Sequence, residues 1–560
     1  MRQTIGYFTA LLAITTGALL AQPGGDPPSR VARLNYLNGT VSFRPGSVEE
    51  WAAASLNYPL TTGDHLFTDA NSQTELHVGS TAIRMDQQTA LAFINLDDRV
   101  AQLSLTGGSL NVRIRSLRPD EVYEVDTPNA AIVLRQGDYG INSDGDRNTT
   151  MVLVREGQAD ITGGGANFPV YPRQMANISG TDQLRQEIVP MGPPDGFDAW
   201  CAQRERGEQS VVSARYVPRD MIGYEDLDAY GVWRNVPPYG MVWTPTSMAA
   251  GWAPYHNGHW AWVEPWGWTW IDEAPWGFAP FHYGRWAFAG GAWLWVPGRM
   301  DVAVRPVYAP ALVAFVGGPR FGVAIAVGGG GGMAAWFPLG PGEVYRPAYH
   351  VSDVYVRQIN IVHVNDVTVI NRVDVANVHY ANQAVPGAVM AVPHDAFVSA
   401  RPVAGVAVRV DAREVAGAPV MATAAFAPRR ESVLGGEVRT NAPPARFVQH
   451  QVVMKSPAPP PPVSFAAKQK ALEANGGRPL DENTMRTLRS NAPPPATPAM
   501  RNNNVAPARN DRPPNKEVAA PKGEEHPAVK TEPQTPAARK AEEHKPEPPA
   551  KNNNKKATRK

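Results

Sequence analysis

Histidines close to tryptophans are among the few side chains of this sequence that could do chemistry. His256 and His259 lie three residues apart, and His282 takes the place of His256 in a second copy of the same motif. A zinc site needs several converging ligands, usually with cysteine or carboxylate among them. The second copy has Arg285 in place of His259, and arginine has no lone pair to offer a metal. The pattern therefore predicts no metal site, and histidines that bond to turn carbonyls.

Carboxylates beside tryptophans could serve a glycan hydrolase, which needs two of them, one with a raised pKa in an apolar pocket. Asp272 and Glu273 lie between Trp270 and Trp276. Adjacent strand residues point to opposite faces, however, so these two would not converge on one substrate. The five glycines from Gly328 to Gly332 lack the lysine of a phosphate-binding loop. We predict a non-enzymatic protein without a cofactor, with turn-capping or solvated carboxylates, and keep a glycan hydrolase as a remote alternative.

Tryptophan is concentrated between residues 230 and 297, which hold twelve of the fifteen in the chain. GWAPYHNGHWAW, from Gly251, is repeated as GFAPFHYGRWAF, from Gly277, and such a repeat indicates one structural unit used more than once. Tryptophans two residues apart share one face of a strand, and the Pro and Gly between them favour a β-turn. Trp233, Trp260 and Trp286 are evenly spaced along the chain. We therefore predict three β-hairpins in series.

Two roles stay open for these tryptophans. The favoured role is a hydrophobic core, because large aromatic rings supply much buried area in a small repeat. The other role adds an exposed aromatic face that stacks on sugar rings or prolines, since twelve rings are many for one small core. The candidate aromatic binding surface consists of Trp252, Trp260, Trp262, Trp266, Trp268, Trp270, Trp276, Trp286, Trp293 and Trp295.

Composition and the N-terminus bound the possible partners and the compartment. With 53 basic and 52 acidic residues the chain carries a net charge of +1, which gives no reason to expect nucleic acid as a partner. Arg2 and the apolar run from Ile5 to Leu20 precede Ala21, as in a secretory signal over residues 1–21. Nothing later is long and apolar enough for a transmembrane helix. We predict a periplasmic or secreted bacterial protein, with an uncleaved anchor as the alternative.

The rest of the chain predicts an all-β fold with a disordered tail. Apolar and polar residues alternate between turn signals over residues 31–180, as expected of short strands. Hairpin repeats over 215–300 are followed by a β-rich continuation over 301–405, which contains the Gly-rich loop and further strand alternation over 351–380. A short helix is predicted near residues 199–208. Residues 455–560 are rich in Pro, Lys and Asn, which predicts disorder, with two short helices at 466–474 and 481–489.

Motif order gives two family resemblances. The N-terminal motifs resemble the extracytoplasmic FecR-type domain of iron-dicitrate sensors, and they are Gly39-Thr40-Val41, Leu60-Thr61-Thr62-Gly63-Asp64, Ser72-Gln73-Thr74-Glu75-Leu76, Gly79-Ser80-Thr81-Ala82-Ile83-Arg84, Val125-Asp126-Thr127-Pro128 and Val152-Leu153-Val154-Arg155-Glu156-Gly157. The Trp-rich repeats, together with Tyr308 to Gly318 and Trp336 to Tyr345, resemble an uncharacterised family that follows FecR-type domains in secreted bacterial proteins; this likeness covers residues 215–405.

The first resemblance implies a β domain outside the cytoplasm. Sensors of that family place a cytoplasmic, sigma-factor-contacting segment and a membrane helix before this domain, whereas here the domain follows the predicted signal directly. We therefore expect a binding or scaffolding protein of the bacterial cell envelope, with envelope glycan or an envelope protein as partner. A sensory or protein-interaction module without a sigma-factor-contacting region is the alternative.

Overall fold

The computed structural model describes residues 25–299, 305–317, 332–364, 370, 378–410, 415, 418–436, 439–491 and 501–502. The predicted signal segment, most of the five-glycine run and nearly all of the chain after residue 491 lie outside the described residues. The chain divides into two compact units, residues 1–505 and 506–560, and the described residues belong to the first. Within these ranges no helix is both long and apolar enough to cross a membrane.

Residues 32–190 form a system of seventeen strands, which we call the N-terminal β region. Its longest strand, β9, pairs with β7, β8 and β12 in antiparallel fashion and with β10 in parallel. Side chains along β12 alternate between buried and half-buried, as in a strand with one covered face, although Gly137-Asp138 was predicted to be a turn. The strands are β1 (Ala32–Asn38), β2 (Val41–Arg44), β3 (Ala52–Ala53), β4 (Pro59–Leu60), β5 (His65–Thr68), β6 (Gln73–Val78), β7 (Thr81–Met85), β8 (Thr89–Leu96), β9 (Val100–Ile114), β10 (Val122–Asp126), β11 (Ala131–Leu134), β12 (Gly137–Asp144), β13 (Thr149–Glu156), β14 (Ala159–Gly163), β15 (Ala166–Val170), β16 (Gln174–Ser179) and β17 (Arg185–Pro190).

Two helices, α1 (Gly196–Gln209) and α2 (Leu227–Tyr230), lead from this region into the Trp-rich repeats, and a third, α3 (Ala279–His282), lies between two of those repeats. The first confirms the helix predicted near residues 199–208. It begins at a capping box in which Asp195 and Asp198 accept each other's backbone N–H groups. The single cysteine, Cys201, lies in α1 as a buried free thiol, and burial raises the pKa of that thiol.

The three predicted hairpins are confirmed and together make the hairpin region, residues 231–296. Tryptophans face each other across each hairpin: Trp233 and Trp243 in the first, Trp260 and Trp270 in the second, and Trp286 and Trp295 in the third. Trp243 also pairs with Trp295, which joins the outer two hairpins into one four-stranded sheet. The strands are β18 (Gly231–Val236), β19 (Gly240–Pro245), β20 (Gly258–Val263), β21 (Gly267–Asp272), β22 (Arg285–Ala289) and β23 (Ala292–Val296).

The continuation after residue 301 is less β-rich than predicted. Its sheet runs in the order β26, β25, β24, β27. The strand alternation predicted from residue 351 is wrong as far as residue 364, because residues 353–360 form a helix. Ser352 caps this helix, and the helix buries Tyr355, Val356 and Ile359 on one side. The elements are β24 (Val313–Val316), β25 (Met333–Pro338), α4 (Asp353–Asn360), β26 (Met390–Pro393), α5 (His394–Val398), β27 (Val420–Met421) and α6 (Arg430–Val433).

The segment from residue 439 to residue 491 packs back onto the rest of the chain, and we call it the C-terminal strap. Both short helices predicted in the tail are confirmed. The predicted start of the tail at residue 455 falls too early, because Phe465 and Leu472 are buried in the main apolar core. The elements are α7 (Ala445–Val448), β28 (Val453–Met454), α8 (Phe465–Ala474), α9 (Glu482–Asn491) and β29 (Arg501–Asn502), which pairs with β28.

One contiguous apolar core runs through all these parts, and it includes Ala32 in the N-terminal β region and Leu472 in the strap. Trp270 lies in this core with no exposed surface, and its ring contacts those of Trp260 and Trp336 at centroid distances of 5.6 and 6.2 Å. The hairpins are therefore part of a shared core, and they do not form an independent domain.

Trp270→Ala should lower the free energy of unfolding by about 3–5 kcal/mol, because it leaves a large cavity in a well-packed interior. Phe288→Ala is the matched control in the neighbouring hairpin, since Phe288 is 41% exposed. Its cost should stay below about 1 kcal/mol. Urea unfolding monitored by circular dichroism measures the unfolding free energies of both variants. Similar losses for the two would contradict a larger contribution of Trp270 to the core.

Candidate functional site

The candidate aromatic surface lies in the interior. Trp252 is half-buried, and the other nine residues are between 0 and 6% exposed. The prediction of an exposed aromatic platform is therefore wrong for these nine, which are Trp260, Trp262, Trp266, Trp268, Trp270, Trp276, Trp286, Trp293 and Trp295. The physical reason is that later parts of the chain cover the hairpins: Trp260, for example, packs against Phe315 at 5.1 Å and Phe397 at 5.5 Å.

Several buried indole N–H groups bond to the protein backbone, as structural tryptophans do. Trp243 donates to the carbonyl of Leu227 at 2.9 Å, and Trp286 donates to that of Pro280 at 2.9 Å. Trp295 donates to the carbonyl of Tyr283 at 2.8 Å. These indoles orient the connecting segments around the hairpins, which is the core role favoured from the sequence.

Asp272 and Glu273 diverge as predicted. Asp272 is 3% exposed and caps the turn after β21, accepting hydrogen bonds from the Trp270 indole at 3.0 Å and from the Ala274 backbone at 2.9 Å. Burial raises the pKa of Asp272 to about 8, although those two hydrogen bonds lower it. Glu273 is exposed. The pair is thus arranged as a turn cap and a solvated group, and the two do not flank a common cleft.

Two histidines of the repeat bond to carbonyls, and the buried His259 has no hydrogen-bond partner for its Nε2 among the described residues. His282 Nδ1 lies 2.8 Å from the carbonyl oxygen of Ala309, and His256 Nε2 lies 3.4 Å from that of Ala388. Those carbonyls belong to later segments of the chain, whereas the sequence predicted turn carbonyls. Burial lowers the pKa to about 4 for His256 and His259 and to about 3 for His282. All three are therefore neutral at pH 7.

A cluster of charged side chains that the sequence did not point to lies between the N-terminal β region, α1 and the segment before α2. It combines four cationic and four acidic side chains in the protein interior or at its margin. The members of this seam cluster are Arg33, Glu75, His77, Arg84, Arg204, Glu208, Glu225 and Asp226.

Glu75 on β6 is the most enclosed carboxylate of the seam cluster. Its oxygens lie 2.6 Å from Arg84 Nε and 2.6 Å from Arg204 Nη2, and Asn35 donates to it at 2.7 Å. Burial alone would raise the pKa of Glu75, but His77 and Arg84 hold it well below its usual range. Glu75 is therefore an ion-paired anion in the folded chain.

His77, two residues along β6, connects the N-terminal β region to the start of the Trp-rich region. Its Nδ1 lies 2.6 Å from a carboxylate oxygen of Glu225, and its Nε2 lies 3.4 Å from one of Glu208. Burial alone would lower the pKa of His77, but these two carboxylates raise it well above its usual value. Burial likewise opposes ionisation of Glu225, yet His77 and Arg33 lower its pKa to about 2. His77 and Glu225 thus form a buried ion pair.

Arg33 on β1 extends the seam cluster to the hairpins. Its Nη1 lies 3.3 Å from Glu225 and 2.5 Å from Asp226, while its Nη2 donates to the carbonyl of Pro275 at 2.8 Å. Asn57 accepts two further N–H groups of the same guanidinium at 2.8 and 3.0 Å. One arginine therefore holds the strand β1, the segment before α2 and the turn after β21 together.

Glu75, His77 and Glu208 are close enough to one another for a metal ion, and among the described residues they are the one such group. Arg84 already contacts both carboxylates, at 2.6 Å for Glu75 and 2.9 Å for Glu208. A metal ion would have to displace this guanidinium and bind a neutral His77, which would end the ion pair of His77 with Glu225. The geometry is that of an ion-pair network, and the predicted absence of a metal stays a prediction.

A cavity of about 620 Å³ lies beside the third hairpin and α4. Arg285 and Arg305 line it, but protein groups already bind both side chains. Arg285 donates to the carbonyls of Glu343 and Gly284 and to the side chain of Asn360, and Arg305 pairs with Glu121. This cavity could hold a small polar molecule, but those bound guanidinium groups favour no particular ligand class.

Comparisons with known proteins match two parts of the chain. The FecR protein family model matches residues 64–160, and the model of a family of unknown function (DUF6600) matches residues 224–343. Both resemblances seen in the sequence are thereby confirmed. Glu75, His77 and Arg84 belong to the first match and Glu225 to the second, so the seam cluster lies where the two matched regions meet.

Two crystal structures of a proposed anti-sigma factor from Parabacteroides distasonis ATCC 8503 are similar to part of the chain. Each is 10% identical, they cover 23% and 24% of this chain, and their TM-scores are 0.21 and 0.22. The chain spans 59% and 64% of the length of those structures. No curated protein matches the chain.

Glu75→Ala should lower the free energy of unfolding by about 3–5 kcal/mol, because it leaves Arg84 buried without its nearest carboxylate. Glu49→Ala is the control, since the Glu49 side chain is 96% exposed and its pairing with Arg44 is solvated. That change should cost no more than about 1 kcal/mol. If chemical denaturation gives equal costs for the two variants, the seam cluster does not stabilise the fold.

Asp272→Asn should make stability less dependent on pH. Because the folded-state pKa of Asp272 is about 8, above its ordinary value of 3.8, the wild type loses stability as pH rises from about 4 to 8. The loss is at most about 1.4 kcal/mol for each pH unit, and the neutral asparagine does not share it. The difference in unfolding free energy between the variant and the wild type, measured across pH 4 to 9, should thus change in favour of the variant up to pH 8 and then level off. A difference that does not change with pH would show an ordinary, ionised Asp272.

Proposed function

We propose that this chain is a non-enzymatic sensory or interaction module of the bacterial cell envelope that works outside the cytoplasm through a protein partner. The FecR match over residues 64–160 supports a signalling or sensory role. The predicted signal at residues 1–21 supports the compartment. A protein partner is favoured over envelope glycan, because the rings that were to stack on sugars are buried.

An open sheet edge on the N-terminal β region carries this proposal. Strand β17 pairs with β16 on one side and with no other strand of the described ranges. Five of its six residues are exposed, and Ile188 is 41% exposed. Unpaired backbone N–H and C=O groups at such an edge accept an added strand from another protein.

An apolar corner at the end of this edge adds a site for side chains. Tyr171 and Met191 are 51% and 37% exposed, and the backbone N–H of Met191 donates to the carbonyl of Arg173 at 2.9 Å. That bond brings the turn at Tyr171 beside the end of β17. A partner strand would therefore gain backbone hydrogen bonds along β17 and apolar contacts at its end, the two elements of strand addition.

The seam cluster gives the hairpin region a supporting role in this function. Arg33 on β1 and His77 on β6 both bond to groups of the second matched region, and one apolar core crosses the junction. A partner bound at β17 would therefore meet a body in which the two regions move together. In this proposal the Trp-rich region stabilises and orients the FecR-type region, and it does not present a separate aromatic binding face.

The test is photo-crosslinking of the full-length protein in its native envelope. A photoreactive amino acid at Ile188 should give an adduct with a discrete envelope protein, because the side chain lies on the open edge. The same amino acid at Phe288 is the matched control, since both native side chains are 41% exposed and Phe288 lies in the hairpin region. Mass spectrometry of the adducts identifies the partner.

Equal adducts from the two positions, or none from Ile188, would contradict the proposed edge. Retention of the purified protein on peptidoglycan or envelope polysaccharide, with no protein adduct, would instead support a glycan partner.

A further inference from the structure

The C-terminal strap crosses the N-terminal β region through specific contacts. The Thr440 backbone donates to the carbonyl of Trp51 at 2.9 Å, and Phe447 packs against Phe67 with ring centroids 5.2 Å apart. Residues 452–456 of the strap then lie against β9 and β10.

A buried carboxylate on β10 binds the backbone of the strap. Glu124 accepts the backbone N–H groups of Lys455 at 2.8 Å and of Ser456 at 3.0 Å, and the Ser456 hydroxyl at 2.5 Å. Val453 donates its N–H to the carbonyl of Thr127 at 2.9 Å. Three of the four residues from Val453 to Ser456 thus bond to one short stretch, residues 124–127.

Gln102 on β9 completes the recognition of Ser456. Its side-chain amide donates to the Ser456 carbonyl at 3.1 Å and to Asp126 at 2.8 Å. Ser456 is therefore bound through its N–H, its hydroxyl and its carbonyl. Binding of both donor and acceptor groups of one residue is how proteins recognise an extended peptide.

The strap covers the polar groups of this groove and satisfies its carboxylate. Gln102, Glu124 and Asp126 have no exposed surface when the strap is in place, and the strap gives Glu124 backbone N–H donors at Lys455 and Ser456. A buried carboxylate without hydrogen-bond donors costs several kcal/mol, on the order of the loss of its hydration. The strap supplies those donors, so the groove formed by Gln102, Glu124 and Asp126 is built for peptide N–H groups.

Apolar contacts accompany this polar recognition. Val452, Val453 and Met454 are 4%, 3% and 3% exposed. The strap then continues to the second hairpin, where the side chain of Lys468 pairs with Glu264. There its prolines and Leu472 line one small cavity with Trp262 and Trp266.

We propose that the groove formed by Gln102, Glu124 and Asp126 is a peptide-binding site, and that residues 452–456 of the strap are its intramolecular ligand. The ligand class is an extended segment with apolar residues followed by a serine, bound through its backbone N–H groups to the carboxylate. A segment of the same chemistry from another protein competes with the strap for this groove. The proposal goes beyond the envelope role and does not depend on the edge strand β17.

Lys455→Pro in the full-length protein opens the groove, because proline has no N–H to donate to Glu124. Amide hydrogen exchange should show residues 452–456 protected in the wild type and at least tenfold less protected in this variant. Lys455→Ala keeps the N–H and is the matched control, which should keep the wild-type protection.

A labelled peptide of residues 449–459 then reports on the open groove by fluorescence anisotropy. It should bind the Lys455→Pro protein at least tenfold more tightly than the wild type or the Lys455→Ala protein, in which the strap occupies the site. The same peptide with proline at position 455 should not bind. Adding Glu124→Gln to the Lys455→Pro protein should weaken peptide binding at least tenfold, because the amide has one acceptor oxygen where the carboxylate has two.

Unchanged exchange in Lys455→Pro, or equal peptide binding by the open and wild-type proteins, would overturn the proposal. Ser456→Ala provides a milder opening if the proline variant does not fold, and intermediate peptide affinity is expected of it. No gain in affinity there would also count against the proposal. These measurements use purified protein alone, so a negative result would leave the envelope role in place.

Discussion

Charge burial at the junction of the two family regions is the constraint on which the rest of the structure depends. An unpaired guanidinium or carboxylate in the interior is costly, so each member of the seam cluster fixes the position of its partner. Arg33 contacts Glu225 and the carbonyl of Pro275 at the same time, and this constrains the position of β1 relative to the hairpins. His77 and Glu75 impose the same condition on β6 and α1. The network therefore specifies how the regions pack. Apolar contacts alone are less directional and would specify this packing less strictly.

The apolar core adds the free energy that such a network does not supply. Tryptophan is suited to this position because one side of the ring system packs in the core while the indole N–H bonds to a backbone carbonyl. Trp243 and Trp295 do both, and they also join two hairpins across a strand pair. The hairpin region thus combines packing and polar anchoring in the same residues, which explains why so many tryptophans can lie within one structure without forming an exposed patch.

Sequence patterns predicted local structure well and burial poorly, for identifiable reasons. Strand period and turn residues determine a hairpin locally, so the pairing of Trp260 with Trp270 was predictable. The cover that Phe315 and Phe397 provide depends on residues more than fifty positions away, which no local pattern reveals. Likewise Glu75 and His77 occupy the polar positions of an alternating strand, and that pattern reads as solvent-facing. Helix α1 covers this face, and its arginine and glutamate residues satisfy the charges.

The burial of the Cys201 thiol has a consequence for folding in an oxidising compartment. The thiol lies in α1, buried beneath the surface, with a pKa raised by that burial, so little of it is the reactive thiolate. No second cysteine exists in the chain. The folded protein can therefore reside in an oxidising compartment without thiol exchange and without the help of disulfide-forming catalysts. Its stability there therefore depends on no disulfide bond within the chain.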